Sequence, residues 1–370
     1  MNTSRSVIQV VPRLGTYADG VADYARTLAT ALRAADRINS SFLCGDPLEG
    51  PDLHSGVDRV AVIEDRSATK LLLALESPGE KRGELAHTNV VLHYVNYGYS
   101  PRGCPFWLVD GLEEWKRRNR QARLITIFHE VYASGPVWRS SFWLSPVQRR
   151  LAARLARLSD FAITSSEVYR RILVGWAPAN VDRTWVRPVF STIGEPAEFV
   201  AWGRREPCMA VLGRAGTEAR AYGPYRQSLA TTARALGIES VIDIGPRLKA
   251  VPAELDGIRV RTTGQLPREE VSRLLSGCRA GFLDYPSDVL GKSTVFAAYC
   301  AHGVIPAITH VRGADLDGLR DGEHFLLAKS RQAGVPISAG TLARIANTVR
   351  EWYGGHSIAI HASALAAIVQ

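Results

Sequence analysis

Short apolar runs alternate with amphipathic stretches from one end of the chain to the other. Near-continuous apolar runs predict strands over 7–11, 41–44, 59–63, 89–95, 123–128, 160–164 and 183–187. A second series predicts strands over 208–213, 240–244, 258–262, 280–284, 304–308 and 324–327. Helical spacing of apolar positions fills the gaps, as over 20–35, 146–158, 222–236, 267–277 and 292–302. Apolar strands alternating with helices predict parallel sheets covered on both faces. Two such series in succession predict two Rossmann-like, doubly wound α/β domains, 1–195 and 206–355. The boundary is expected between Gly194-Glu195-Pro196 and Glu206-Pro207, where Pro, Gly and charge break the period. Beyond Ser338 the pattern predicts two helices split at Gly354-Gly355. The second, over 356–370, is rich in Ala and Ile and needs a surface to cover.

A length of 370 residues fits two cores better than one. The opening apolar stretch, Val7 to Val11, is too short for a leader and is broken by Pro12 and Arg13. No apolar run approaches the ~20 residues of a membrane span. Cys44, Cys104, Cys208, Cys278 and Cys300 are scattered and odd in number, which argues against a disulfide framework or zinc site. A reducing, cytoplasmic setting is the expectation.

The net charge of +9 is unevenly spread. Ten Lys or Arg fall between Lys116 and Arg157, against the single acid Glu130. Such a stretch is either a solvated basic face or a surface for an anionic partner. An anionic membrane met through 116–157, at the inner face, is the partner considered. No recognised nucleic-acid motif is present, so nucleic acid is not expected as a partner.

Ligands of doubly wound sheets sit beyond the carboxyl ends of the strands, and three turns there suit phosphate. The first, Gly15 to Val21, contains Tyr17, Asp19 and Gly20 and leads into a helix whose free amides favour an anion. The second, Gly213 to Arg220, places Arg214 and Arg220 where both can reach one pyrophosphate. The third runs from Asp284 to Thr294 and ends in Gly291-Lys292-Ser293-Thr294. It is not a P-loop, because Pro286 stands where that loop needs its first glycine. Lys292, Ser293 and Thr294 at a helix start still make a phosphate site.

His129 and Glu130 close the 123–128 strand, where a proton-handling pair belongs, although a His bonded to backbone in a turn gives the same pattern. Neither HExxH nor GxSxG spacing occurs, and no metal is expected. Trp138, Phe142 and Trp143 either pack under the domain or lie at a membrane interface.

In order and spacing these pieces resemble the GT4-type glycosyltransferases of the GT-B fold. Asp19 to Ala25 resembles their glycine loop, and His129-Glu130 their strand-end pair. Gly213-Arg214 with Arg220 resembles their pyrophosphate clamp. Gly264-Gln265-Leu266-Pro267 resembles the entry to a helix near the nucleotide base, and Pro286 to Pro306 the terminal block. The resemblance implies a GT-B fold with an interdomain cleft and a C-terminal helix crossing back to the first domain. It implies a UDP- or GDP-linked sugar donor and a glycan, lipid-linked or small-molecule acceptor, with no metal or other cofactor. Implied roles are catalysis for His129 and Glu130, diphosphate binding for Gly20, Arg214, Arg220, Lys292, Ser293 and Thr294, and base and ribose contact for Gly264, Gln265 and Leu266. Tyr17, Asp19 and Trp138 fall on the acceptor side. One departure stands out. The family's two glutamates, eight apart, fall on Leu290 and Ala298. Asp288 is the acid left nearby to contact the sugar. A GT-B protein that binds a nucleotide sugar or serves as a partner subunit, without catalysis, is the alternative.

Overall fold

The computed structural model describes residues 5–15, 19–46, 59–76, 88–213, 221–246, 251–312, 317–328 and 337–369. Two compact units make up the chain, Met1–Arg187 with Ile358–Gln370, and Pro188–Ser357. Val189 and Ser191 belong to the second unit through bonds from Val189 N to the Gly291 carbonyl (2.7 Å) and from Ser191 N to the Tyr353 hydroxyl (3.1 Å).

Among the described residues, seven parallel strands form the sheet of the first unit: β1 (Arg5–Val11), β2 (Ile38–Cys44), β3 (Arg59–Val62), β4 (Asn89–Tyr94), β5 (Leu124–Phe128), β6 (Phe161–Thr164) and β7 (Thr184–Val186). Their order is β3-β2-β1-β4-β5-β6-β7, so the winding reverses between β1 and β4. Helices α1 (Gly20–Asp36), α2 (Ala68–Glu76), α3 (Asn96–Tyr99), α4 (Phe106–Arg118), α5 (Ser140–Leu158) and α6 (Glu167–Trp176) connect them. Helix α1 buries Ala22, Tyr24, Ala25, Leu28, Ala29 and Leu32, the i, i+3, i+4 stripe of an amphipathic helix. Helix α5 begins at Ser140, six residues before the sequence expectation. Pro146 reads as a first-turn residue in the sequence, yet it lies inside the helix and leaves one carbonyl of the preceding turn without its amide.

The second unit also holds a seven-stranded sheet among its described residues. Its strands are β8 (Glu206–Leu212), β9 (Ser240–Ile244), β10 (Glu254–Leu255), β11 (Ile258–Thr262), β12 (Cys278–Pro286), β13 (Ile305–His310) and β14 (Leu326–Leu327). The order is β10-β11-β9-β8-β12-β13-β14, reversing between β8 and β12, with only β10 antiparallel. Sequence patterning missed β10 because it has two residues. The Asp256-Gly257 turn behind it, both at positive φ, is the hairpin signal that marks it. Its described helices include α7 (Arg226–Ala235), α8 (Arg268–Gly277), α9 (Thr294–Ala301) and α10 (Ala339–Gly354).

The final helix, α11 (Ile358–Val369), packs on α1 in the first unit. It buries Ala362, Leu365, Ala366, Ile368 and Val369. Its last turn is tied down by Asn89 Nδ2, which donates to the Val369 carbonyl at 3.1 Å, and by Arg123, which donates to the Ile368 carbonyl. These side chains cap carbonyls that a helix end otherwise leaves unpaired.

Candidate functional site

The first unit carries its chemistry at the carboxyl edge of its sheet, beside the reversal between β1 and β4. The amides of His129 and Glu130 both point to the Tyr94 carbonyl, at 3.0 and 3.4 Å, so the turn after β5 is fastened to the end of β4. Buried Gln148 of α5 holds the next turn: its Oε1 accepts from Ala133 N (2.9 Å) and from Asn96 Nδ2 (2.9 Å). His129 and Glu130 are half-buried.

Below His129 lies a line of polar side chains that sequence reasoning did not single out. Register places Val7 beside Ser40, Gln9 beside Val91, and His93 beside Ile127. Ser40, Gln9, His93 and His129 therefore share one face, and each step moves one strand across and two residues toward the carboxyl edge. Gln9 Nε2 donates to Ser40 Oγ at 2.9 Å, His93 Nε2 lies 2.8 Å from Gln9 Oε1, and His93 Nδ1 lies 3.1 Å from His129 Nε2. The first three residues are fully buried. Burial, and secondarily the charge of a protonated His129, pushes the His93 imidazole well below the usual histidine range, so it stays neutral. The available signal was a Gln and a His inside the apolar runs 7–11 and 89–95.

Tyr24 of α1 stands edge-on to both imidazoles, with ring centroids 5.9 Å from His93 and 5.1 Å from His129. Its hydroxyl meets His361 Nδ1 of α11 at 2.9 Å. Burial keeps this phenol far above its ordinary pKa, so it remains protonated.

Asp19 has a structural duty. One carboxylate oxygen accepts from Val21 N and Ala22 N, capping α1, and the other pairs with Arg13 Nε at 3.0 Å. The helix start thus already holds an anion of its own. A Cβ built on Gly20 meets nothing within 4 Å. Trp138 is 81% exposed, and Tyr17 lies outside the described residues.

In the second unit the edge near the β8–β12 reversal gathers the rest. Arg214 and Arg220 fall outside the described residues; Gly213, just before them, follows the end of β8. Tyr299 of α9 fixes that end. Its hydroxyl accepts from Leu212 N (3.0 Å) and faces the Ala210 and Phe282 carbonyls at 3.1 and 3.2 Å, joining β8 to β12 through one oxygen. After β12 a 3-10 turn, Ser287–Lys292, leads into α9. Ser287 locks this turn by bonding both the amide and the carbonyl of Arg312 (2.9 and 3.2 Å). Ser293 caps α9 by accepting from Phe296 N at 3.1 Å, with Lys292 before it and Thr294 as the first helical residue.

Leu290 and Ala298 are both fully buried, so the absent glutamates are replaced by core. Asp288 keeps one buried carboxylate oxygen, Oδ1, without a hydrogen-bond partner among the described residues. Asp284 accepts from Thr309 Oγ1 at 2.5 Å and lies 3.4 Å from His310 Nε2, which meets the Tyr225 hydroxyl at 2.6 Å. Gly264 takes a left-handed φ of 73°, and its carbonyl accepts from Gly245 N (3.3 Å) and Thr263 Oγ1 (2.9 Å). Gln265 beside it is exposed and Leu266 half-buried. Among the described residues no group of three His, Cys, Asp or Glu is placed to hold a metal ion, and no helix is long and apolar enough to cross a membrane.

Solved structures share this architecture across almost the entire chain. A glycosyltransferase from Rickettsia africae ESF-5 superposes with a TM-score of 0.56 at 12% identity, over 99% of this chain and 98% of that one. An alpha-glucosyltransferase in complex with UDP gives 0.55 at 11% identity, over 99% of each chain. The chain has the GT-B fold. Similar structures are not all described as transferases: one described as a putative UDP-N-acetylglucosamine 2-epimerase from Listeria monocytogenes gives 0.56 at 11% identity, over 98% and 95% of the two chains. At these identities the likeness establishes the GT-B fold alone, and the reaction has to be argued from residues. No protein-family model matches the sequence, and no curated protein sequence does.

The expected partners need correction. An alpha-glucosyltransferase has been solved with UDP-glucose and DNA containing an abasic site, and superposes with a TM-score of 0.56 at 11% identity over 99% of each chain. The lack of a recognised nucleic-acid motif therefore does not exclude nucleic acid for a GT-B chain. The basic stretch is also less available than its count suggests. Lys116 pairs with Asp160, Arg117 and Arg118 with Glu114, and Arg154 with Asp110 and Glu113. All of these acids lie outside the window 116–157. Arg123 and Arg157 donate to backbone carbonyls, and Arg149 lies 4.3 Å over the Tyr132 ring.

Proposed function

We propose that this GT-B chain is a glycosyltransferase that takes its sugar from a UDP- or GDP-linked donor without a metal ion. The acceptor is a hydroxyl of a glycan, glycolipid or small molecule. One observation carries this reading. A histidine stands at the carboxyl edge of the first sheet, beside the strand-order reversal, bonded through Nε2 to a buried neutral imidazole. That is the construction of a group that takes and returns a proton.

In the transfer the acceptor oxygen bonds to the anomeric carbon and the bond from that carbon to the diphosphate oxygen breaks. The acceptor proton passes to His129. The departing diphosphate carries the negative charge, which Arg214, Arg220, Lys292 and the amides at the start of α9 neutralise. Asp288, with its unpartnered oxygen, takes over the contact to a sugar hydroxyl that the resemblance assigns to the position of Leu290.

Calorimetric titration with UDP and GDP, in chelator and at low salt, is the first test. One nucleotide is expected to bind in the micromolar range, and Lys292→Ala to weaken it about tenfold or more. Asp288→Asn is expected to keep nucleotide affinity and lose turnover of the sugar donor. Binding without any turnover, with hydrolysis and several acceptors assayed, would favour the non-catalytic alternative. No heat with either nucleotide up to about millimolar would remove the donor assignment.

A further inference from the structure

The line of hydrogen bonds under His129 has a direction, because each member determines what the next can be. Gln9 turns its amide nitrogen toward Ser40 Oγ, at 2.9 Å. Its carbonyl oxygen is therefore left for His93, 2.8 Å away, and only a protonated His93 Nε2 can donate to it. A neutral imidazole with Nε2–H has a bare Nδ1. That lone pair lies 3.1 Å from His129 Nε2, so His129 Nε2 must carry the proton between them.

We infer that Gln9 and His93 act as positioning residues that hold His129 as its Nε2–H tautomer, making Nδ1 the nitrogen that takes a proton. The assignment deepens the proposed function, since it names the atom of His129 that would work in transfer.

The line is closed to bulk solvent. Ser40, Gln9 and His93 have no exposed surface, so water does not stand in for a lost bond. Parallel imidazoles, 15° apart in plane, are flanked by the edge of Tyr24 on each ring. The Tyr24 hydroxyl meets His361 Nδ1. The His129 backbone is fixed by its bond to the Tyr94 carbonyl. With ring and backbone both held, the opposite tautomer would bring two bare nitrogens together across the same gap. The loss of one buried hydrogen bond favours the Nε2–H form about tenfold.

The direction matters for proton transfer. When Nδ1 of His129 gains a proton, the Nε2–H bond to His93 stays as it was. His129 can thus pass between neutral and charged forms without His93 or Gln9 turning over. With the line reversed, His93 would present Nδ1–H, and a second proton on His129 would set two N–H groups against each other. Turning the Gln9 amide over reverses every donor, so this one side chain on β1, two strands from His129, governs which nitrogen is basic.

The experiment is a long-range 1H–15N correlation spectrum of the intact chain labelled with 15N-histidine, with His129 identified by its missing signals in His129→Gln. The wild-type protein should show His129 and His93 both as Nε2–H tautomers, with a 15N–15N coupling across the bond joining them. A Nδ1–H pattern at His129 would overturn the assignment without any variant. Gln9→Glu combined with Ser40→Ala supplies the second reading. With Ser40 Oγ removed as an acceptor, the proton of the buried carboxyl group points to His93 Nε2 or moves onto it, and either arrangement makes His93 Nδ1 the donor. His129 should then switch to Nδ1–H, and an unchanged spectrum in the folded double variant would also overturn the inference. Nucleotide affinity should stay within about twofold in that variant while donor turnover falls at least about tenfold. If the chain proves not to be a transferase, turnover is absent throughout, yet the tautomer readings still decide the inference.

Discussion

His93 shows how much a single buried side chain can ask of its setting. Its imidazole is held neutral by burial and by the neighbouring imidazole, far below the ordinary value of 6.5. Burial lowers His302 of the second unit as well. In both cases the unfolded chain binds more protons than the folded one below about pH 6.5. The associated stability is thus complete above that pH and is lost as the pH falls toward the folded-state values. The slope is about 1.4 kcal/mol per pH unit for each fully shifted histidine. Urea midpoints should therefore drop between pH 7 and pH 5, and His93→Gln should flatten the drop for the first unit. A flat wild-type profile would show that neither histidine is held neutral. Gly20 gives a complementary case. With open space at its Cβ position and a helical backbone, Gly20→Ala should leave stability unchanged or raise it by up to about 1 kcal/mol. Any loss of nucleotide binding in that variant would then report on a close backbone approach.

At the scale of elements, Tyr299 and Gly303 fix the edge that carries the second unit's candidate residues. Removing the Tyr299 hydroxyl leaves the amide of Leu212 buried without a partner. Tyr299→Phe should cost about 1–3 kcal/mol in denaturant unfolding of that unit. Gly303 has a φ of 62°, and a Cβ there would sit 2.6 Å from the Phe199 ring and 3.1 Å from Arg205. Gly303→Ala should destabilise by about 2 kcal/mol or more, from backbone strain and crowding together. Sequence patterning located these elements well, because runs such as 240–244 and 258–262 are bounded by polar turns that leave little choice of ends. It placed His129 and Glu130 correctly at a strand terminus for the same reason. It did not single out Gln9, His93 or Ser40, since a polar residue within a strand looks like one facing solvent until register shows a shared face. Nor could it weigh Tyr299, whose three partners lie on two other strands.

For the whole molecule, the alternation of strands and helices made the GT-B fold legible, but charge counting along a window misled. The acids that answer the 116–157 cations precede or follow that window: Glu114 meets Arg117 and Arg118 one turn away on α4, and Asp110, Glu113 and Asp160 are brought in by the fold. A chain segment is a poor proxy for a surface. The return of α11 is better behaved: its apolar sequence demanded a surface, and α1 supplies it. Deleting 358–370 would uncover the part of α1 that packs on α11 and would remove His361 from Tyr24. The first unit should then lose its cooperative unfolding transition, while the second, which is continuous in sequence, should keep its own. Loss of both transitions would mean that the units do not fold independently.

The split composition of the first unit also bears on how the protein is born. Helix α11 is encoded after all of Pro188–Ser357. During synthesis the second unit has its full set of strands and helices before the first does, although it is made later. On the ribosome the earlier-made sheet must wait, with α1 uncovered by α11, until residues 358–370 leave the exit tunnel. Nascent chains in which residues 1–357 are followed by a flexible linker long enough to span the exit tunnel should be protease-sensitive in their first 187 residues and resistant in the unit that follows.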